Sequence, residues 1–146
     1  MKANRMKSIC DTILFQEFEK AMAEGNLIKA LEYGKRMATE YSSYPLAHYS
    51  LATAYEERQE WADAVLAYHK SLEADKQAWS TPANSNAPLS AAFAVECAGV
   101  LHYAQLGLGR CYEMMGMQEQ AIKAYEAFLV ECPEHEGAQE AIKRLQ

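Results

Sequence analysis

Apolar residues recur along this chain at intervals of three and four. Leu51 and Tyr55, then Ala64, Val65 and Tyr68 after a short polar break, have the spacing of two amphipathic helices folded back on each other. Three such breaks superimpose: Gly25-Asn26-Leu27-Ile28-Lys29-Ala30, Gln59-Glu60-Trp61-Ala62-Asp63-Ala64 and Gly116-Met117-Gln118-Glu119-Gln120-Ala121. Ala30 to Ala64 is 34 residues and Ala64 to Ala121 is 57, which is one period of 34 carrying an insertion of 23. The small residue at each of these alanines lets paired helices approach closely. One pair alone leaves an apolar face uncovered, so stacking three pairs creates the core. After Glu134, Ala138, Ala141, Ile142 and Leu145 share one face, which predicts a C-terminal capping helix over 136–146. The expected fold is therefore all-α, a solenoid of three helical hairpins and a cap.

The residues around these turns carry a family resemblance. His102 to His135 holds Leu108-Gly109, Tyr112, the Gly116 turn, Ala121, Tyr125 and Pro133, and Pro45 to Asp75 holds Leu51-Ala52, Tyr55, Ala64, Tyr68 and Leu72 at matching offsets. Both segments resemble the tetratricopeptide repeat, whose period is 34. The first unit keeps Gly25, Ala30 and Leu31 but puts Glu17 where leucine is expected and Gly34 where an aromatic is expected. The resemblance implies a right-handed superhelix with repeats at about 11–44, 45–76 and 102–135. Residues 77–101 form the departure from the pattern. The second helix of the second unit is expected to end near Asp75, and a long helix to run from about Leu89 to Met115. In its extra half Phe93, Cys97, Val100 and Leu101 form one stripe and Ala92, Val95 and Gly99 another, so more than one face is expected to be covered. The cover is either the protein's own N-terminal segment, a homodimer contact or a partner.

Composition agrees with helices: 25 Ala and 13 Leu stand against 13 Val, Ile and Thr together. The net charge of -6 argues against nucleic acid, which demands clustered Lys and Arg. Lys2, Arg5 and Lys7 imitate the start of a signal peptide, but Asp11, Gln16, Glu17 and Glu19 interrupt any apolar run. Leu89 to Gly109 is long enough to span a membrane, yet Glu96, His102 and Gln105 oppose insertion. Cysteines 10, 97, 111 and 132 form no Cys-x-x-Cys pair and read as buried thiols in a reducing, cytoplasmic setting, with a Cys97–Cys111 disulfide as the alternative.

A search for chemistry finds no phosphate loop, no His-Glu-x-x-His and no Gly-x-Ser-x-Gly. His48, His69, His102 and His135 are scattered, and Cys132 with His135 supplies too few ligands for a metal. The expectation is a protein that is not an enzyme and needs no cofactor. The resemblance implies instead a groove formed by the first helix of each repeat. Carried over by register, its contacts fall on Phe15, Glu19 and Met22, then Leu46, Tyr49, Thr53 and Glu56, then Tyr103, Leu106, Arg110, Glu113 and Met114. Family members that clamp the C-terminal carboxylate of a heat-shock chaperone use Lys, Asn and Arg at such places. Here Phe15, Glu19, Ser50, Tyr103 and Gly107 stand there, so that clamp is absent. The expected ligand is a peptide or protein segment with apolar anchors and basic flanks. An adaptor or assembly factor, a chaperone of a secreted or aggregation-prone client, and a self-assembling subunit are the three roles this leaves.

Overall fold

The computed structural model describes residues 9–80 and 91–146, and of these the side chains of 78–80 and 91–102 fall outside the description. A single 3-10 turn, Ile9–Asp11, leads into α1 (Ile13–Ala23). It is followed by α2 (Leu27–Glu40), α3 (Pro45–Glu57), α4 (Trp61–Ser80), α5 (Ala91–Met114), α6 (Gln118–Glu131) and α7 (Glu136–Leu145). Among the described residues there is no strand.

Local chemistry sets the helix starts. Thr12 Oγ1 accepts the Phe15 N–H at 3.2 Å, Asn26 Oδ1 accepts the Lys29 N–H at 3.2 Å, and Pro45 opens α3, where its missing N–H loses no helical bond. His135 opens α7 in the same way, its Nδ1 accepting the Ala138 N–H at 3.1 Å.

The three hairpin turns share one geometry. The N–H groups of Asn26, Glu60 and Met117 reach back to the carbonyls of Ala21, Tyr55 and Tyr112 at 2.8, 2.9 and 2.9 Å. The residue before each reaches Met22, Glu56 or Glu113. This double closure needs a left-handed residue at its corner, and Gly25 (φ 71°), Gln59 (φ 61°) and Gly116 (φ 75°) supply it. Four residues into each second helix stand Ala30, Ala64 and Ala121, all fully excluded from solvent.

Helices pack in chain order as the pairs α1–α2, α3–α4 and α5–α6, with α7 against α6. The first helices α3 and α5 also touch each other directly, whereas the second helices α2 and α4 have no comparable contact. At this level the first helices lie closer together than the second, which puts α3 and α5 on the inner side of the stack. The core follows the stack as three clusters: Ile9, Phe18, Met37 and Tyr44; Tyr68, Leu108 and Cys111; and Tyr125, Phe128, Ala138 and Ala141. Ala138 and Ala141 are the cap's contribution, so α7 closes the apolar end of the last pair.

One boundary differs from expectation. Helix α4 continues to Ser80 rather than stopping near Asp75, because the residues from Lys76 to Ser80 contain no helix breaker and the first proline is Pro82. Helix α5 spans 24 residues, or about 36 Å at 1.5 Å per residue. Phe93, Cys97, Val100 and Leu101, the candidate oligomer contact, have side chains outside the described residues, as has the cysteine that a disulfide to Cys111 would need.

Gln59 is the odd member of the three turns, since a side chain in the left-handed region is strained where glycine is not. Gln59→Gly is expected to raise the unfolding free energy by up to about 1 kcal/mol, and Gly116→Ala to lower it by about 1 kcal/mol, in urea titrations. Equal and opposite responses tie the two turns to the same backbone geometry; destabilisation by Gln59→Gly contradicts it.

Candidate functional site

Glu56, in the last turn of α3, is the centre of a bonded cluster. Its Oε2 accepts Arg110 Nε at 2.7 Å, and its Oε1 accepts Arg110 Nη2 at 3.0 Å and the Tyr68 hydroxyl at 2.7 Å. Three helices, α3, α4 and α5, are thus joined through one carboxylate. The Tyr68 ring is fully buried, and a buried phenol requires a partner for its hydroxyl. Burial, then the charge and hydrogen bond of Glu56, hold that hydroxyl far above the ordinary tyrosine range. The same bonds push the Arg110 guanidinium further up, against the opposing effect of its burial.

The arrangement is repeated 57 residues on. Glu113 Oε2 accepts the Tyr125 hydroxyl at 2.8 Å, and its Oε1 accepts Arg144 Nη2 from α7. Glu56 and Glu113, and Tyr68 and Tyr125, differ by 57 in number, while Arg110 and Arg144 differ by 34 because no insertion falls between them. Partial burial by itself would raise the Glu113 carboxyl, but the hydrogen bonds from Arg144 and Tyr125 outweigh it and hold the group below the usual range. The first unit has Met22, Gly34 and Thr53 at the corresponding places, so no third cluster exists there.

Around the first cluster lie the remaining inner-face residues. Tyr49 sets its ring edge-on to Tyr68 with centroids 5.7 Å apart. Its hydroxyl is pushed up by burial, in a field to which Arg110, Glu56 and Tyr103 all contribute. Tyr103, Arg110 and Met114 fall on one stripe of α5 by helical periodicity. Tyr103 is 50% exposed and Met114 61% exposed. Thr53 is satisfied locally, its hydroxyl donating to the Ser50 carbonyl at 2.7 Å. Phe15, Met22 and Leu46 pack half-buried on the first core cluster, Leu106 on the third, and Glu19 stands exposed on α1.

Sequence register therefore brings Tyr49, Glu56, Tyr103 and Arg110 together, while Phe15 and Leu106 belong largely to the core. Tyr68 and Arg144 were missed as partners. The signal that would have found them is the common interval of 57 that links Glu56 with Glu113 and Tyr68 with Tyr125. Other polar candidates have structural duties or are inert: His135 caps α7, and burial pushes the Cys111 thiol up to about 12, leaving it protonated at neutral pH. Among the described residues no cluster of His, Cys, Asp and Glu could hold a metal, and no helix is long and apolar enough to cross a membrane.

Residues 103–135 match the family model described as tetratricopeptide repeat. Among solved structures, the TPR domain of Arabidopsis OM64 is similar over 97% of this chain and 98% of that one, with a TM-score of 0.73 and 17% sequence identity. No curated protein matches the chain. The two matches support assignment to the tetratricopeptide family, and the structural likeness at this identity is one of fold, a helical-hairpin solenoid.

Because the folded-state pKa of Glu113 is depressed, its contribution to stability is present above the unfolded carboxylate value and is lost as pH falls through the folded one. Glu113→Gln is expected to unfold at a lower temperature than wild type at pH 7, with the two curves converging between about pH 5 and 3. A gap that stays constant across that range shows that the Arg144 clasp does not stabilise the charged form.

Proposed function

We propose that this protein is a non-catalytic interaction module, an adaptor or assembly factor, that binds a peptide or protein segment along its inner first-helix face in a reducing, cytoplasmic compartment. A tetratricopeptide fold is in general a protein-interaction fold, which supports the broad reading. The observation that carries the specific one is the contrast on α5: Tyr103 and Met114 stand out into solvent on the same stripe as Arg110, whose charge is already committed to Glu56. Large side chains carried on a helix need no backbone ordering on binding and can serve as anchors.

Internal pairing changes the expected ligand. Glu56 and Glu113 have their own cations, so neither is available to a basic flank without breaking a clasp. The exposed Glu19 on α1 has no ion-pair partner among the described residues and remains the inner-face acid for a single basic group. The favoured ligand is thus an apolar or aromatic segment with a cation at the α1 end.

The test uses exposed residues only, because Arg110 and Tyr49 also hold the fold. Full-length wild type and Tyr103→Ala/Met114→Ser are compared in capture from native lysate, followed by titration of whatever wild type retains. The variant is expected to keep its thermal stability within a few degrees and to bind its partner at least about tenfold more weakly. Equal retention of every captured protein contradicts the inner-face reading. Keeping a co-expressed client soluble without stable capture would move the role to chaperone, and self-association alone would move it to subunit.

A further inference from the structure

The outer side of the stack contains a second feature, independent of the inner face. Helices α2 and α4, which lack substantial contact with each other, flank a pocket of about 450 Å³ floored by α3. Its α3 residues, His48, Leu51 and Tyr55, lie roughly 130° around that helix from Tyr49, Thr53 and Glu56. The gap has a cause in the repeat register. One level further along, Leu72 stands where Ala38 stands here, and the Tyr112 hydroxyl meets His69 Nε2 at 2.9 Å where this level has Tyr55 and Lys35. A smaller side chain and a missing hydrogen bond distinguish this level from the next.

The pocket is polar at both ends and apolar between. Lys35 and Lys70 lie one residue apart in register on their parallel helices, since Lys70 stands 34 residues after Arg36. The Lys70 charge is felt at His48, so this end is basic. Seven residues back along α4, about 10 Å away, Asp63 lies close enough to Tyr55 to influence its hydroxyl. Ala38, Leu51 and Ala67 line the middle, and Leu66 is 61% exposed on the same wall. Neither lysine side chain, nor the Asp63 carboxylate, nor the Tyr55 hydroxyl has an ion-pair or hydrogen-bond partner among the described residues.

His48 borders the pocket from α3 and is unusual in its own bonding. It is 8% exposed, and its Nε2 is 2.7 Å from the Ser42 carbonyl, which fixes Nε2 as the donor and Nδ1 as a lone acceptor. That Nδ1 is the single buried side-chain polar atom without a partner among the described residues. A buried acceptor left unpaired is costly enough to call for an explanation. Burial, reinforced by Lys70 and opposed by the Ser42 bond, lowers the ring's pKa and keeps Nδ1 an acceptor at neutral pH.

We propose that this outer pocket binds an extended peptide segment of a partner protein that carries an acidic side chain at the Lys35–Lys70 end, an apolar residue over Leu51 and Leu66, and a basic side chain at Asp63. An extended segment in the polyproline-II form advances about 3.1 Å per residue with three residues per turn, so an acid and a base three positions apart share one face at about the required separation.

The experiment records amide shifts of the isotope-labelled full chain during titration with the capped peptide Ser-Gly-Glu-Leu-Ser-Arg-Gly-Ser. Saturable shifts are expected at Lys35, Ala38, Leu66 and Lys70. Replacing Glu by Gln in the peptide, or using Lys35→Gln/Lys70→Gln protein, is expected to weaken binding about tenfold, the combined effect of two exposed ion pairs. Both surface changes leave the spectrum elsewhere intact, and Tyr103→Ala/Met114→Ser binds the probe as wild type does, which separates this site from the inner face. Absence of saturable shifts in the pocket up to about 10 mM peptide, or shifts indifferent to both charge replacements, overturns the proposal.

Discussion

The stack depends on the place where the Tyr68 ring meets Gly107. A Cβ built on Gly107 would lie 2.4 Å from Tyr68 Cζ, closer than any side chain is tolerated, so only glycine lets α5 settle on α4 at this spacing. With the ring seated there, its hydroxyl reaches Glu56, and the Glu56 carboxylate meets both donors of Arg110. Close approach, burial of the ring and the charged clasp are consequences of one another. The following unit repeats the ring and its carboxylate, with a second close approach inside the pair: Tyr125 lies on Gly109, where a Cβ would come within 2.6 Å, and its hydroxyl reaches Glu113. Ala141 in α7 stands one period after Gly107, so the cap meets the last ring with another small residue.

The first unit solves the same problem with the volumes reversed. Phe18 occupies the first-helix position that Ala52 and Gly109 hold later, and Gly34 occupies the second-helix position of Tyr68 and Tyr125. The large ring has moved from one helix of the pair to the other, and Gly34 admits Leu51, whose atoms would lie 3.2 Å from a Cβ there. Gly34, which departs from the family pattern in sequence, is thereby a packing exchange rather than a lost repeat. Ile9 and the 3-10 turn seal this end, with Ile9 fully buried against the first cluster.

The fold was legible because its determinants are local and periodic. Ala30, Ala64 and Ala121 fix the pairing, and Gly25 and Gly116 mark the turns directly in the residue types. The end of α4 was not legible from the repeat length, since nothing between Asp75 and Ser80 stops a helix once it is running. The inner face was legible as a set of residues but not as a state. Glu56, Arg110 and Glu113 read the same in sequence whether they await a ligand or bond to each other, and only the spatial return of α4, α5 and α7 decides between them. The outer pocket lay beyond reach for a related reason, because a gap is defined by what neighbouring helices fail to fill. The inner face and the outer pocket take separate stripes of α3, Tyr49, Thr53 and Glu56 on one and His48, Leu51 and Tyr55 on the other.

The dependence of the stack on the contact between Tyr68 and Gly107 is tested most directly by urea unfolding of Gly107→Ala in two backgrounds. In wild type the added methyl must displace the ring, and stability is expected to fall by about 2 kcal/mol or more. In a Tyr68→Ala background the space is vacant, and alanine's helical preference over glycine is expected to make the same change neutral or stabilising by up to about 1 kcal/mol. A cost of Gly107→Ala that is equal in both backgrounds contradicts the account.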